Sequence, residues 1–540
     1  MVFKTMGRWF SGLASMKSSV NKIYCYFKRN KSTILLVVIL VALAIPLRFK
    51  NLGYSDYHGD EYKAFLRLED GESAWDFLLR QRKGPMQFIV SYIPYLFTGN
   101  FLDETAQRIP FSVASTLSVI FFFLFVKNIT KSKLMAFLAT FLFITNGFIS
   151  GFGRIAQYQN LNLLFSFTAL FLYSEIFDRP LSEKRSLIFS LLGTFFWCLS
   201  VLSHWDAILI FPIVIYIIVK SFLNSKENKK AALKVLLLNI GLGLLLTLPY
   251  IIPYIDTFRY YEKNQDYATA RVGIDLGYSK VPLYKALTEL YNPFLTLPLL
   301  LISAAVGLLS IKKGIPILIW FGVVFGIFEI FVKNPGTHFY NFLLPLIILA
   351  GIGIGSVINL HMIIKILYTP IILVLFCFLY FQTYILYVDH SIEYPFVDKK
   401  VLIINNPLKQ NQKILTLVAK RISVIKPDYM RGSYIPLFGF THHRFWNEVN
   451  DLVNKLNQTN NERFKYITNE DKSIGEKYMD AKYGIDGGFY AIGIKKPMNF
   501  VLDTSFVNYG SKKLVTTFEQ NGEVVTIIYR FEPKAVLPIR

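Results

Sequence analysis

Asp60 and Glu61 stand side by side in Tyr54-Ser55-Asp56-Tyr57-His58-Gly59-Asp60-Glu61-Tyr62, a few residues beyond the apolar run Ile34 to Leu47. Two carboxylates in an aromatic, histidine-bearing loop at a bilayer surface can handle protons or cations beside lipid. An aspartate there can act as general base on an acceptor hydroxyl, and a neighbouring glutamate can bind substrate or help hold a cation. His58, two residues ahead of Asp60, adds a ligand type for a divalent cation, although one imidazole and two consecutive carboxylates lack a metal-site spacing. Taken alone the dipeptide would equally suit a solvated juxtamembrane loop, so the surrounding elements decide.

Further polar groups sit at the ends of apolar runs. Arg82-Lys83-Gly84-Pro85 opens one of them. Pro85 suits the first position of a helix, where its missing N–H costs nothing, and Lys83 just before it can meet a phosphate at headgroup depth or simply snorkel. Gly153-Arg154-Ile155-Ala156-Gln157-Tyr158-Gln159-Asn160 joins two runs, and Arg108 precedes Ile109-Pro110 in a similar setting. Arg154 and Arg108 are candidates for phosphate binding or for pairing with the acidic loop. His204-Trp205-Asp206 and His338-Phe339-Tyr340-Asn341 also lie at run boundaries. Single histidines there are often packed polar residues, but a shared outward face makes His58, Tyr62, Gln157, His204, Asp206, His338 and Tyr340 candidate pocket-lining residues.

The elements that must position these groups are membrane helices. The 540 residues are 53% hydrophobic and 17% charged, against roughly 25% charged in ordinary soluble domains. Apolar runs recur near 33–49, 86–101, 110–127, 134–150, 160–177, 186–203, 205–221, 233–252, 290–311, 315–332, 338–360 and 362–387. Most match the ~20 residues needed to cross a hydrocarbon core, where backbone satisfaction requires helices. The net charge of +22 would raise nucleic acid as a partner in a soluble protein. Here many basic residues occupy short links between apolar runs, where they set topology and meet anionic headgroups. No zinc-finger spacing or basic-aromatic pattern argues for nucleic acid. Cys25, Cys198 and Cys377 have no metal-ligand spacing and predict neither a disulfide nor a cysteine metal site.

Residues 1–32 read as a basic cytoplasmic N-terminus ahead of an uncleaved signal anchor. Residues 33–387 read as a transmembrane domain with outer loops near 50–85 and 253–289, and 388–540 as a small extracytoplasmic α/β domain. In that last part Val401 to Ile404 predicts a strand, Gln412 to Ile422 and Phe445 to Leu456 predict helices, and Asn521-Gly522 predicts a hairpin turn between 514–518 and 524–531. A cytoplasmic N-terminus and an outer C-terminus require an odd number of crossings, and the weakest run is 86–101, which contains Pro94 and Gly99. The expected fold is therefore a polytopic α-helical membrane protein of about 11–13 spans, with its C-terminal domain outside a cell membrane.

At these residues the chain resembles GT-C superfamily polyprenyl-phosphate-sugar glycosyltransferases. It is most similar to the family 39 group, which includes protein O-mannosyltransferases and the lipid A aminoarabinose transferase. Asp60-Glu61-Tyr62, Lys83-Gly84-Pro85 and Arg108-Ile109-Pro110 follow in the family's order. Arg154 to Tyr158 is similar to its polar outer turn, and Tyr340 to Pro345 to its late aromatic-to-Leu-Pro span. The resemblance covers roughly 33–360. Gly84 replaces a usual proline, and the C-terminal domain has no clear counterpart. The resemblance implies an inverting transferase that moves a hexosyl or pentosyl unit from a polyprenyl-phosphate-linked donor to a glycan, lipid or protein acceptor on the extracytoplasmic face. Asp60 would be the catalytic base with Glu61 assisting, and Lys83, Arg154 and Arg108 would bind the lipid phosphate. No organic cofactor is implied; a divalent cation is left open. The alternatives are a transporter or flippase, which would predict internal repeats and mid-span charges, another polytopic cell-envelope polysaccharide enzyme, or a scaffold.

Overall fold

The computed structural model describes residues 30–532 apart from 58–59, 69, 261–265, 267–268, 274–290, 293–295, 310, 334, 361, 391–437, 462, 471, 486, 496 and 498–511. His58, the expected strand Val401 to Ile404 and the expected helix Gln412 to Ile422 lie outside the described residues.

The apolar runs fold as helices. They are α1 (Asn30–Phe49), α2 (Ala74–Arg80), α3 (Pro85–Thr98), α4 (Glu104–Thr130), α5 (Lys133–Thr145), α6 (Gly147–Phe152), α7 (Tyr158–Ser174) and α8 (Lys184–Val201). A 3₁₀ turn, Trp205–Ile210, leads into α9 (Phe211–Leu223), followed by α10 (Lys229–Tyr260), α11 (Thr296–Leu309) and α12 (Ile311–Phe331). A second 3₁₀ turn, Gly336–Phe339, leads into α13 (Tyr340–Ile358), and α14 (Met362–Tyr387) follows. Eight of these segments are long and apolar enough to cross a membrane; α5 and α11 are shorter apolar helices. The 17-residue α7 packs beside α4 and α8. α13 lies at the centre, against α5 and α11, with 89% of its apolar window buried. Gly353 lets it approach α11 so closely that a Cβ there would sit 1.9 Å from the Ser303 carbonyl oxygen.

Three expected spans change shape. The 86–101 run forms α3, whose 14 residues rise only about 21 Å, short of the ~30 Å core. Its Phe88, Ser91 and Pro94 are buried while Ile89, Ile93, Leu96 and Phe97 are exposed, an amphipathic pattern suited to an interface. The 134–150 run is broken at Asn146, whose side chain accepts the N–H groups of Phe148 and Ile149 and so starts α6 afresh. The expected outer loop from 253 begins in helix, because α10 continues to Tyr260 through Pro249 and Pro253.

The C-terminal region is α/β as expected. It holds α15 (Trp446–Thr459), β1 (Lys465–Thr468), α16 (Lys472–Tyr478), β2 (Phe489–Ile494), β3 (Lys512–Gln520) and β4 (Glu523–Phe531). The sheet order is β1-β2-β4-β3, with β1 parallel to β2 and the other pairs antiparallel. Asn521 and Gly522 both take positive φ, 53° and 78°, as the expected tight turn requires. This region shares one buried apolar cluster with the first outer loop. Tyr57, Tyr62 and Phe65 pack with Trp446, Tyr478 and Tyr490. Polar contacts fasten the two: Tyr57 N–H donates to Tyr478 Oη at 2.6 Å, Tyr478 Oη–H to Glu104 Oε1 at 2.8 Å, and Arg444 N–H to Asp56 Oδ2 at 2.5 Å.

Candidate active site

The two adjacent carboxylates enter opposite environments. Glu61 is fully buried, and Arg108 clasps it with Nε to Oε1 and Nη2 to Oε2, each at 2.8 Å. Glu61 Oε1 also accepts the Ala156 N–H at 3.0 Å. Arg108 spends its remaining donors on the carbonyls of Leu52, Ser55 and Asp56, at 2.9, 2.7 and 3.0 Å. A bidentate pair so placed is a fastener for the loop on α4. It cannot also clasp a lipid phosphate, and its geometry gives Glu61 no free oxygen for substrate. Asp60 differs, with a side chain 35% exposed and, among the described residues, one ion-pair partner, Lys63 Nζ at 3.5 Å. Burial pushes its carboxyl up, but the charges of Lys83, Lys63 and Arg82 outweigh this and hold it below its ordinary value. It is an ionised, accessible carboxylate.

Arg154 is likewise committed. Its Nη1 donates to Leu47 O at 3.1 Å, and its Nη2 to Lys50 O and Asn51 O at 2.8 and 3.1 Å. These are carbonyls at the C-terminal end of α1, which a helix leaves without intrahelical donors. The phosphate role expected of Arg154 and Arg108 therefore gives way to a structural one: each guanidinium closes a loop end.

Lys83 is the cation that remains. Its Nζ donates to Gln157 Oε1 at 3.2 Å and lies 5.6 Å from the Tyr158 ring centre. Burial pulls its ammonium below the ordinary value against the opposing pull of Asp60. Gln87 reaches the same place, its Oε1 accepting the Tyr158 N–H at 2.9 Å. The Nε2 groups of both Gln87 and Gln157 are buried without an acceptor among the described residues. Buried donors left unmade are costly, so a cup of one ammonium and two idle amides favours an anion.

Gly84 explains how Lys83 is held there. Gly84 N–H donates to Ser203 O and Met86 N–H to Leu202 O, both at 3.2 Å, which zips the start of α3 to the end of α8. These bonds take two N–H groups at the start of α3, so an anion there would meet the Lys83 side chain rather than the whole helix end. A Cβ on Gly84 would stand 2.0 Å from the Leu202 carbonyl oxygen. The departure from proline at this position thus has a physical reason: a ring would clash and would also remove the N–H given to Ser203. Gly84→Ala is expected to cost about 1–3 kcal/mol of stability and to slow turnover by displacing Lys83. Denaturation curves and initial rates at wild-type values would refute that close approach.

Beyond Lys83 the cluster continues into histidines. His204 stacks on Tyr158 with ring centres 3.8 Å apart, and His338 stacks on His204 at 5.1 Å. Asp206 Oδ2 lies 3.0 Å from His338 Nδ1. Burial pushes His204 down to about 4 despite Asp206 nearby, so its imidazole is neutral at ordinary pH. Asn162 Nδ2 donates to Tyr340 Oη at 2.7 Å. Lys83, Gln157, His204, Asp206, His338 and Tyr340 are therefore one contiguous group, with Asp60 at its outer side. Tyr62 does not join them: its hydroxyl bonds Ser473 in the C-terminal region. Sequence reasoning passed over Gln87 and Asn162, and named Tyr158 only as part of the polar turn. Their signal was a polar stripe, since Tyr158, Asn162 and Ser166 recur every four residues on one face of α7.

Comparison with known proteins gives matching results. Residues 50–258 match the family model of dolichyl-phosphate-mannose-protein mannosyltransferases. No curated protein sequence matches. Among solved structures, the chain is similar to ArnT from Cupriavidus metallidurans bound to undecaprenyl phosphate, with a TM-score of 0.51 and 11% identity over 92% of this chain and 98% of that one. The apo form of the same protein gives 0.50 and 11%, over 93% of this chain and 98% of that one. Such coverage extends into residues 388–540, for which the sequence had suggested no clear counterpart. The family match takes in the first outer loop and the spans after it, and the fold is shared with ArnT along nearly the whole chain.

Proposed function

We propose that this protein transfers a monosaccharide from a polyprenyl-phosphate donor to an acceptor hydroxyl on the extracytoplasmic face, with inversion. The observation that carries this reading is an accessible, ionised Asp60 set beside a buried cup of donors, Lys83 Nζ with the Nε2 groups of Gln87 and Gln157. Asp60 takes the acceptor O–H proton as that oxygen bonds the anomeric carbon. The bond from that carbon to the lipid phosphate breaks, and the phosphate oxygen leaves with the electron pair. Lys83 and the two amides meet the growing charge in a water-poor site, where fixed donors act most strongly. One displacement inverts the anomeric centre. The N-terminus is then cytoplasmic and the C-terminal region extracytoplasmic. That arrangement needs an odd number of crossings.

The test is turnover of the full-length protein in vesicles with a polyprenyl-phosphate-linked sugar, reading release of polyprenyl phosphate. Turnover with that donor and none with a nucleotide sugar is expected, and Lys83→Gln should lower it by about 10²-fold or more. Use of the nucleotide sugar instead, or wild-type rates in Lys83→Gln, would remove the proposed donor site.

A further inference from the structure

The transfer step as proposed leaves His204, Asp206 and His338 without a part. All three are buried, and one ligand atom from each lies within 4.8 Å of the others. Two of them stand on the 3₁₀ turns that precede α9 and α13, while His204 caps the first of these turns. Asp206 Oδ2 is 3.0 Å from His338 Nδ1, and Oδ1 is 3.3 Å from His204 Nδ1. The stacked imidazoles, 18° from parallel, both turn their Nδ1 edge to the one carboxylate.

The protons available do not fill this cluster. His204 Nδ1 accepts the Asp206 N–H at 3.2 Å, so that nitrogen presents a lone pair. That lone pair is taken up by the Asp206 N–H, whereas Asp206 Oδ1, 3.3 Å from the same nitrogen, is buried with no hydrogen-bond partner among the described residues. Tyr158 Oη adds a further oxygen, 3.1 Å from His338 Nδ1. A buried, electron-rich focus of this kind is expensive unless a cation occupies it.

We propose that His204, Asp206 and His338 bind one divalent first-row transition cation of the zinc or manganese class, through two imidazole nitrogens and one carboxylate oxygen. Two ligands each about 2.0–2.1 Å from a tetrahedral ion stand about 3.3 Å apart, and the Asp206 carboxylate comes close to that spacing from His338 through Oδ2 and from His204 through Oδ1. Imidazole nitrogens select such ions over magnesium and calcium, which prefer oxygen alone. Lys83 opposes a second cation, since its charge reaches His204, but Asp206 is in direct contact and supplies the compensating charge. The site stands independently of the transfer reaction, because occupancy can be read without turnover.

The experiment uses tag-free full-length protein in detergent, stripped with a chelator and then titrated with Co²⁺ or Zn²⁺. One equivalent of Zn²⁺ per chain should survive desalting, and Co²⁺ should give the visible absorption of a nitrogen- and oxygen-ligated ion. Asp206→Asn and His338→Ala should each lower retained metal at least tenfold. A wild-type protein that shows no Co²⁺ spectrum and keeps under a tenth of an equivalent overturns the proposal, leaving a hydrogen-bonded histidine network. Stoichiometric binding in both variants overturns it as well, because the ion then sits elsewhere. The wild-type measurement decides the matter even if a variant fails to fold.

Discussion

Asp60→Asn is expected to lower sugar transfer by about 10²–10⁴-fold, the range for loss of a general base, while leaving the melting temperature near wild type. The two halves of that expectation have separate causes. The rate falls because an amide cannot take the acceptor proton, and nothing among the described residues stands ready to replace it: Glu61, next in sequence, is locked on Arg108 and the Ala156 N–H. Stability holds because Asp60 is part-exposed and its ion pair with Lys63 is long and solvated, a contact worth about 0–1 kcal/mol. Transfer rates with a lipid-linked donor, paired with thermal unfolding in detergent, check both. A variant that turns over normally removes Asp60 from the chemistry, and one that is inactive only because it unfolds assigns it to the scaffold.

The reverse pattern is expected one residue later. Glu61→Gln removes the counter-charge of a fully buried guanidinium and should cost about 3–5 kcal/mol, seen as a large fall in melting temperature. Arg108→Met should cost more, because it also strands the carbonyls of Leu52, Ser55 and Asp56, each a buried acceptor worth about 1–3 kcal/mol when left unpaired. Activity should fall in proportion to the folded fraction and recover on cooling. If Glu61→Gln instead melts like the wild type and is inactive, Glu61 touches substrate and the fastener reading is lost. Neighbouring carboxylates with opposite mutational signatures are the sharpest distinction this site offers.

Much of the architecture was legible in the chain. Apolar length alone predicts helices, since lipid offers the backbone no other partner. Asn521-Gly522 predicts its turn through the positive φ that both residues adopt. The break at Asn146 was harder to see, because hydropathy reports the apolar content of a run and is silent about one side chain capping a new helix inside it.

For the site, the family resemblance carried by the residue types and their order implied lipid-phosphate transfer before any contact was known. Lys83, His204, Asp206 and His338 lie close to one another, with Asp60 near Lys83. What only tertiary structure decided is which charges are free. Arg108, Arg154 and Lys83 look equivalent as cations at the ends of apolar runs. Packing gives the two arginines buried carbonyls and a carboxylate to satisfy, and leaves Lys83 facing idle amides. Asp60 and Glu61 are likewise adjacent in sequence and opposite in environment. The reason is physical: spacing along a chain determines which helix end a group occupies, whereas burial and partners depend on contacts with segments far away in sequence, and those set its chemistry.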